Sequence, residues 1–370
     1  MGIKDFYKTI EEEDPDLLKI TPFEELRGKV VAVDISVFLY KFVRSAGPGR
    51  WADAFIMLLI LLKKYSIKAV CIFDGPNPPI EKQEEQIARR ETNKKLVEKM
   101  EHARVLLEQT LPYLPNMPIP SRIVSECKIV NSRMRQTDMC DYKDPKSIVY
   151  FLKETIGRLN KQTIPITEEF KDDAKEIIDA LGISFMDAEG EAEGLCSELA
   201  VHHRVDAVLT EDTDVMAYGI PEMWGRVDLR NETVTVLRSK DIHTTFGINY
   251  RQFRDICIML GCDYNDRLYG IGYKKIPSLI QEHGSIEAVI SYLQKEAKPV
   301  PKRDYNSLKY ERCREIFSIP RTLTSKYVIP YNRPPNERRI RNFLEERPTN
   351  YTYEKITDAW EANRAILIFE

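Results

Sequence analysis

Seven carboxylates recur in settings that could do chemistry: Asp34, Asp74, Glu191, Glu193, Asp212, Asp214 and Asp263. The first two close the apolar runs "KVVAVD" and "KAVCIFD", Asp212 and Asp214 follow a third in "VDAVLTEDTD", Glu191 and Glu193 lie in "DAEGEAEG", and Asp263 in "LGCDY". Like charges this crowded repel unless water, cations or a metal compensate them. Oxygen donors with no paired His or Cys suit a hard cation such as Mg²⁺ or Mn²⁺ rather than zinc. Two such ions, roughly 3.5–4 Å apart, can orient water and stabilise both the attacking and the leaving oxygen of an in-line phosphodiester displacement. That reaction needs carboxylates from several elements and no side-chain nucleophile, and the chain holds no Gly-x-Ser-x-Gly, Walker A or HExxH pattern. Singly, each acid has a plainer reading. An Asp at a strand end is usually a turn former, "EGEAEG" a solvated helix start, and "TEDTD" a capping cluster at a helix dipole. Three strand ends and two helix starts together are what favour a metal pocket.

The elements that must position these acids follow from the pattern around them. Near-continuous apolar strands separated by helical stretches predict a parallel α/β sheet. In such sheets ligands sit outside the carboxyl ends of the strands, where these acids recur. "TVTVLRSKDI", Thr233 to Ile242, alternates and predicts a further strand at an edge or in a hairpin. Ile80 to Arg104 is highly charged and helix-compatible, and the prolines of "LPYLPNMPIP" end that helix. From there to about Thr163 the periodicity is weak. "ITEEFKDDAKEIIDALGI" then predicts a helix capped by Thr167, apolar at Phe170, Ala174, Ile177, Ile178 and Leu181, and closed by Gly182. From Asn249 the pattern is helical again: "YRQFRDICIMLGCDY", a turn "YGIGYKK", then "IPSLIQEHGSIEAVISYL". Arg312 to Arg347 carries nine Lys/Arg against four Glu, which reads either as a surface arm or as a nucleic-acid contact.

Composition sets the outer bounds. At 370 residues, 43% hydrophobic and 31% charged, a globular chain with a sizeable core is expected. The longest apolar run, Ala54 to Leu62, is far short of the roughly 20 residues that span a bilayer. "MGIKDFYK" lacks a signal-peptide core, and Phe6 stands where a myristoylation signal wants Ser or Thr. Seven cysteines without a CxxC pair argue for reduced, intracellular thiols. A net charge of −3 gives no hint of a polyanionic partner, so local charge has to carry that question.

The chain resembles the flap endonuclease, or XPG-type, structure-specific 5′ nucleases over about residues 1 to 100 and 170 to 295. The stretches that carry the resemblance are "MGI", "VAVDISVFLY", "CIFDG", "DAEGEAEG", "TEDTDVMAYG" and "QFRDICIMLGCDYNDRLYGIGYKK", in the family's order and spacing. What it implies is a mixed, mostly parallel central sheet flanked by helices, a PIN-like nuclease core. A helical arch or cap insertion and a C-terminal helix–two-turn–helix DNA-binding region would complete it. The expected divisions are residues 1–95 and 167–245 for the nuclease, 96–166 for an arch longer than is typical, 246–300 for the DNA-binding region and 301–370 for a basic extension.

The resemblance also implies an activity and roles. It points to a Mg²⁺-dependent cut, with two ions and Mn²⁺ as a substitute, in DNA bearing a 5′ flap or a single-strand/duplex junction, in replication or repair. A 5′→3′ double-strand exonuclease or a junction or bubble nuclease is the alternative within the family, and a catalytically silent DNA-binding scaffold the alternative outside it. By analogy Asp34, Asp74, Glu191 and Glu193 attend one ion, and Asp212, Asp214 and Asp263 lie closer to the other. Lys82 with Arg89, or Arg90 if the spacing slips, would neutralise the scissile phosphate. Tyr40 would stack on a base, and Gly2 would approach the substrate. Gly270, Gly272, Lys274 and Lys275 would hold duplex phosphates. Arg267 replaces a hydroxyl that helps bind a monovalent cation in many members, so a K⁺ site is not expected and Arg267 becomes a candidate phosphate contact. The closing "AWEANRAILIFE" lacks the clamp-binding box, so no sliding-clamp partner is expected; the short apolar runs give no membrane partner, and a monomer is expected because nothing suggests an obligate dimer. The location would be a nucleus in a cellular eukaryote, otherwise a site of viral DNA replication.

Overall fold

A computed structural model describes residues 2–114, 117–132, 140–295, 304–319, 328–331 and 333–361. The chain forms two compact units, one of Met1–Phe42, Gly49–Gln83 and Thr167–Glu370, the other of Val43–Pro48 and Glu84–Ile166.

The larger unit is built on a seven-stranded sheet: β1 (Lys19–Pro22), β2 (Val30–Asp34), β3 (Lys68–Phe73), β4 (Ser184–Asp187), β5 (Ala207–Leu209), β6 (Glu222–Asp228) and β7 (Thr233–Arg238), in the order β1-β7-β6-β5-β2-β3-β4. β6, β5, β2, β3 and β4 pair in parallel, while β7 runs antiparallel between β6 and β1. The sheet is therefore mixed and mostly parallel, as expected, and Thr233–Arg238 is the return strand of a hairpin with β1 outside it. β2 and β3 are buried almost throughout, which explains their unbroken Val/Ile/Ala runs. Chain order runs outward from β2 to β3 and β4 on one side and through β5 and β6 on the other. The strand order thus reverses between β2 and β5, the crevice where open α/β sheets bind ligands.

The helices of this unit, in chain order, begin with α1 (Phe6–Glu13), α2 (Ile35–Ala46), α3 (Trp51–Lys64) and α4 (Ile80–Thr110), of which α2 and α4 continue into the smaller unit. The smaller unit adds α5 (Ser121–Ser132) and α6 (Pro145–Thr163), with Ala103, Leu106, Ile123, Cys127, Ile148 and Leu152 in a core of its own. The weak periodicity ahead of Thr163 thus conceals two helices, the second started by Asp144, whose carboxylate accepts from Lys146 and Ser147 N–H. α7 (Glu168–Ala180) follows with Thr167 at its N-cap, Ala174, Ile177 and Ile178 fully buried, and Gly182 at φ +73° where the chain turns away.

The chain continues with α8 (Ala192–Val201), α9 (Ser239–Phe246), α10 (Tyr250–Leu260), α11 (Ile276–His283), α12 (Ile286–Gln294), α13 (Tyr310–Ile316), α14 (Glu337–Glu346) and α15 (Tyr353–Glu361). α10 opens with a capping box between Asn249 and Gln252. Six of the seven cysteines are buried and none is in a disulfide, as the odd count without a CxxC pair suggested. No helix among the described residues is long and apolar enough to cross a membrane.

In the basic segment at the end, of which residues 320–327 and 332 lie outside the described residues, several arginines form ion pairs. Arg314 grips Asp255 and Glu287, Arg333 and Arg339 share Asp179, and Arg347 holds Asp173 at 2.6 and 2.9 Å. These guanidiniums fasten the segment to α7 and α10 and are not a solvated arm.

Candidate metal centre

Asp34 ends β2, Asp74 follows β3, and Asp212 and Asp214 follow β5, so the crevice between β2 and β5 is lined with acids. Thr210 ties the two strand ends together: its hydroxyl donates to Asp34 Oδ2 at 3.0 Å and accepts from the Asp212 N–H at 3.0 Å. Asp212 also caps the short turn Thr213–Met216 by accepting from the Asp214 N–H, so "TEDTD" is a cap and a wall of the site at once.

Glu191 and Glu193 arrive on the N-cap and first turn of α8. Backbone contact brings that helix to Asp74. The Gly75 N–H donates to the Gly190 carbonyl at 2.7 Å, the Ala192 N–H donates to Asp74 Oδ1 at 2.9 Å, and a Cβ on Gly75 would meet the Ala188 carbonyl at 1.9 Å. The glycine of "CIFDG" is there because two loops touch.

Glu193, Asp212 and Asp214 present oxygens within 4.8 Å of one another. All three are buried, and neither oxygen of Asp214 has a hydrogen-bond partner. Burial, then the charges of Asp74 and Asp212, push Asp34 up to about 8. Burial likewise raises Asp214, with Asp212 adding to it, and Glu193, with Asp212 again the next contributor. A buried carboxylate with no donor and an all-oxygen neighbourhood fits a hard divalent ion. The tightest grouping joins Glu193 to Asp212 and Asp214, across the division that family analogy made between two ions.

Lys82 enters this cluster from the first turn of α4. Its Nζ lies 2.6 Å from Asp263 Oδ2 and 3.0 Å from Glu191 Oε1. Burial works against its charge, but Glu193, Glu191 and Asp263 outweigh burial and keep it protonated. Tyr264, not among the residues singled out from sequence, places its hydroxyl 2.7 Å from both Glu191 Oε2 and Glu193 Oε1, so its single O–H is shared between the two acids. Its signal was its place beside Asp263. Thr210 and Thr213, adjoining the acids, were passed over in the same way.

The other candidates fall in several places. Gly2, at φ +87°, lies against the acid loop: a Cβ there would meet Asp212 Oδ1 at 2.2 Å and Thr213 Oγ1 at 2.7 Å, and the next N–H, of Ile3, donates to Thr213 Oγ1. Tyr40 is exposed on α2. Arg89 lies on α4 within the smaller unit, paired with Glu85, and Arg90 is exposed. Arg267 donates to the Leu260 and Lys4 carbonyls and pairs with Asp5 at 3.0 Å, binding the amino terminus to the turn after α10. Gly270 has φ +80°, Gly272 precedes the turn Tyr273–Lys275, Lys274 pairs with Glu12 at 2.7 Å and Lys275 is exposed. Glu211 turns away from its acidic neighbours, accepting from Lys41 Nζ and from the Arg226 and Val227 N–H groups of the β6 bulge.

The XPG N-terminal domain matches residues 1–96, and the XPG I-region matches residues 182–263. Flap endonuclease 1 of Phytophthora infestans is 28% identical over 369 residues, covering 93% of this chain and 83% of that protein. "Probable RAD2-like endonuclease 076L" of Invertebrate iridescent virus 3 is 26% identical over 372 residues, covering 93% and 91%. Among solved structures, the catalytic core of Rad2 in complex with DNA substrate covers 98% of this chain and 100% of its own, with a TM-score of 0.67 at 17% identity. Flap endonuclease-1 from Methanococcus jannaschii covers 96% and 98%, with a TM-score of 0.57 at 20% identity. At those identities the solved structures establish the fold, a mixed α/β nuclease fold.

The matched XPG domains and the relatives define a nuclease, that is a phosphodiester hydrolase, and the acid cluster is one that could hold a metal ion. Within that class, the chain carries the XPG N-terminal domain and I-region, and its similarity to flap endonucleases runs along more than nine-tenths of its length.

Proposed function

We propose that the protein is a Mg²⁺-dependent, structure-specific 5′ flap endonuclease that hydrolyses DNA phosphodiester bonds near single-strand/duplex junctions in replication or repair. The observation that most supports this reading is the Asp214 carboxylate, buried and without a partner beside Glu193 and Asp212. The seven acids would hold two Mg²⁺, which when bound polarise the phosphodiester and make a bound water nucleophilic.

The chain's own residues do the remaining work. Lys82 sets a compact positive charge beside Asp263 and Glu191, where it can neutralise a phosphate oxygen as charge builds on it. Tyr264 holds Glu191 and Glu193 about one hydroxyl, whose single O–H the two acids share. Thr210 does the same for Asp34. Tyr40 offers an exposed ring on which a base can stack whatever its identity. Lys274 and Lys275, near the glycines of the turn before α11, would position duplex by its phosphates without reading bases. Rad2, whose core was solved with DNA substrate, supports DNA as the partner.

The protein is read as a monomer working in the nucleus of a cellular eukaryote or at a viral replication site. The sequence on which the missing clamp box rests runs into residues 362–370, outside the described residues. The test is cleavage with Mg²⁺ of matched 5′-flap, blunt duplex, bubble and single-strand DNA alongside RNA versions. Preference for the 5′ flap is expected. Cutting confined to single-strand RNA would overturn the reading, and progressive cutting from blunt 5′ ends would move it to the exonuclease alternative.

A further inference from the structure

We infer that Arg312, on α13, is a positioning residue for Lys82: by gripping Glu81 it holds the first turn of α4, and with it the lysine, against Glu191 and Asp263. This rests on the assignment of Lys82 to the scissile phosphate. Arg312 lies outside both regions that match the family, 1–96 and 182–263.

The contact is two-pronged. Arg312 Nε donates to Glu81 Oε1 at 2.8 Å and Nη2 to Oε2 at 3.4 Å, while Nη1 donates to Glu315 Oε2 at 2.9 Å. The guanidinium holds the Glu81 carboxyl below the usual carboxylate range. A forked pair of this kind restricts orientation as well as distance.

The turn it grips is weakly held by its own backbone. It follows Pro76, Pro78 and Pro79, which lack N–H donors, and the Lys82 and Gln83 N–H groups both turn back to the Pro79 carbonyl. The boundary between the two units falls just after Gln83, so this turn belongs to the nuclease unit while the rest of α4 does not. Glu81 and Lys82 are successive residues on one helical turn, about 100° apart around the axis, so fixing one fixes the direction of the other.

Arg312 is presented from a firm base. Its neighbours Cys313 and Phe317 are fully buried, and Arg314 is bound to Asp255 at 2.5 and 2.8 Å and to Glu287 at 2.6 Å. α13 also walls the cavity next to the acids: Arg312, Glu315 and Ile316 line a space of about 340 Å³ together with Glu191, Asn77 and Pro79. A half-exposed ion pair contributes little to stability, yet a displacement of about 1 Å in a catalytic group can cost up to about a hundredfold in rate. The signature of Arg312 is therefore rate without stability.

The experiment is single-turnover cleavage of a 5′-flap substrate, with melting curves, for wild type, K82A, E81A, R312A, K82A/R312A and the charge swap E81R/R312E. R312A and E81A should each slow the step about tenfold, with substrate affinity within about twofold and melting temperature within about 2 °C of wild type. K82A/R312A should be no slower than K82A, and the swap should recover the rate to within about threefold of wild type. A slow K82A with an unaffected R312A would overturn the latch alone. Effects that multiply in the double variant would also overturn it, since they would make Arg312 a direct substrate contact. K82A at full rate would overturn the Lys82 assignment and the latch with it.

Discussion

Acids gather in two parts of the nuclease unit, and they are completed in opposite ways. On α7, Asp179 is met by Arg333 and Arg339 and Asp173 by Arg347. Burial pushes Asp179 up, but the two guanidiniums outweigh it and its carboxyl lies below its ordinary value. At the carboxyl edge of the sheet, Lys82 reaches Glu191 and Asp263, whereas Asp214 keeps both oxygens unpartnered and, with Asp34 and Glu193, is pushed the other way by burial. Where each carboxylate has a guanidinium of its own the arrangement holds the fold together. Where acids outnumber the cations that reach them, the fold sustains a repulsion that a divalent ion would relieve.

The sharpest way to break this comparison is Asp214→Asn. Cleavage should fall by at least about 10³-fold with flap affinity within about threefold, because a neutral amide is a poor ligand for a hard ion. The same change should raise the melting temperature by a few degrees, since it removes a buried unpaired charge; cleavage and melting assays on one preparation read both, and full activity would remove Asp214 from the centre. The opposite outcome is expected on α7. Arg347→Ala leaves Asp173 buried and uncompensated, costing about 2–3 kcal/mol in denaturant unfolding after discounting for the partly exposed arginine, with the cleavage rate of folded protein unchanged.

Smaller effects sharpen the contrast. Tyr264→Phe keeps the ring and removes the hydroxyl that Glu191 and Glu193 share, so Mg²⁺ affinity should weaken about tenfold by calorimetric titration; an unchanged affinity would mean the two acids need no such support. Smallest is Glu287, which Arg314 holds down at about 2 against an ordinary 4.5. A lowered folded-state value stabilises above the unfolded value and is lost as pH falls through the folded one. The melting-temperature gap between wild type and Glu287→Gln, on the order of 2 °C, should therefore be full at pH 6 and shrink as pH drops from 4.5 toward 2. A gap that stayed constant over that range would separate Glu287 from the linkage.

The gathering of the acids was legible because parallel strands are read from apolar runs and their carboxyl ends are known places for ligands. Asp34, Asp74 and Asp212 needed only that geometry. Tyr264 and Thr210 were not, because a Tyr or Thr beside an acid has no periodicity, and its hydrogen bond reaches across 71 to 176 positions of chain. The helices α5 and α6 were blurred for another reason: a small separate core leaves residues such as Ile129 and Tyr150 exposed among the buried ones, which breaks the apolar stripe. The ion pairs of the basic tail were not legible, because a charge count cannot tell that Asp173, Asp179 and Asp255 wait for it on other helices.

Gly2 has a practical consequence for mutational surveys. A methyl group there would strike Asp212 Oδ1 and the loop that carries it, while the sheet and its buried helices would be untouched. A side chain at φ +87° is strained there as well, so a library sorted by heat resistance would already register such a variant, and the damage would fall on the loop that carries Asp212.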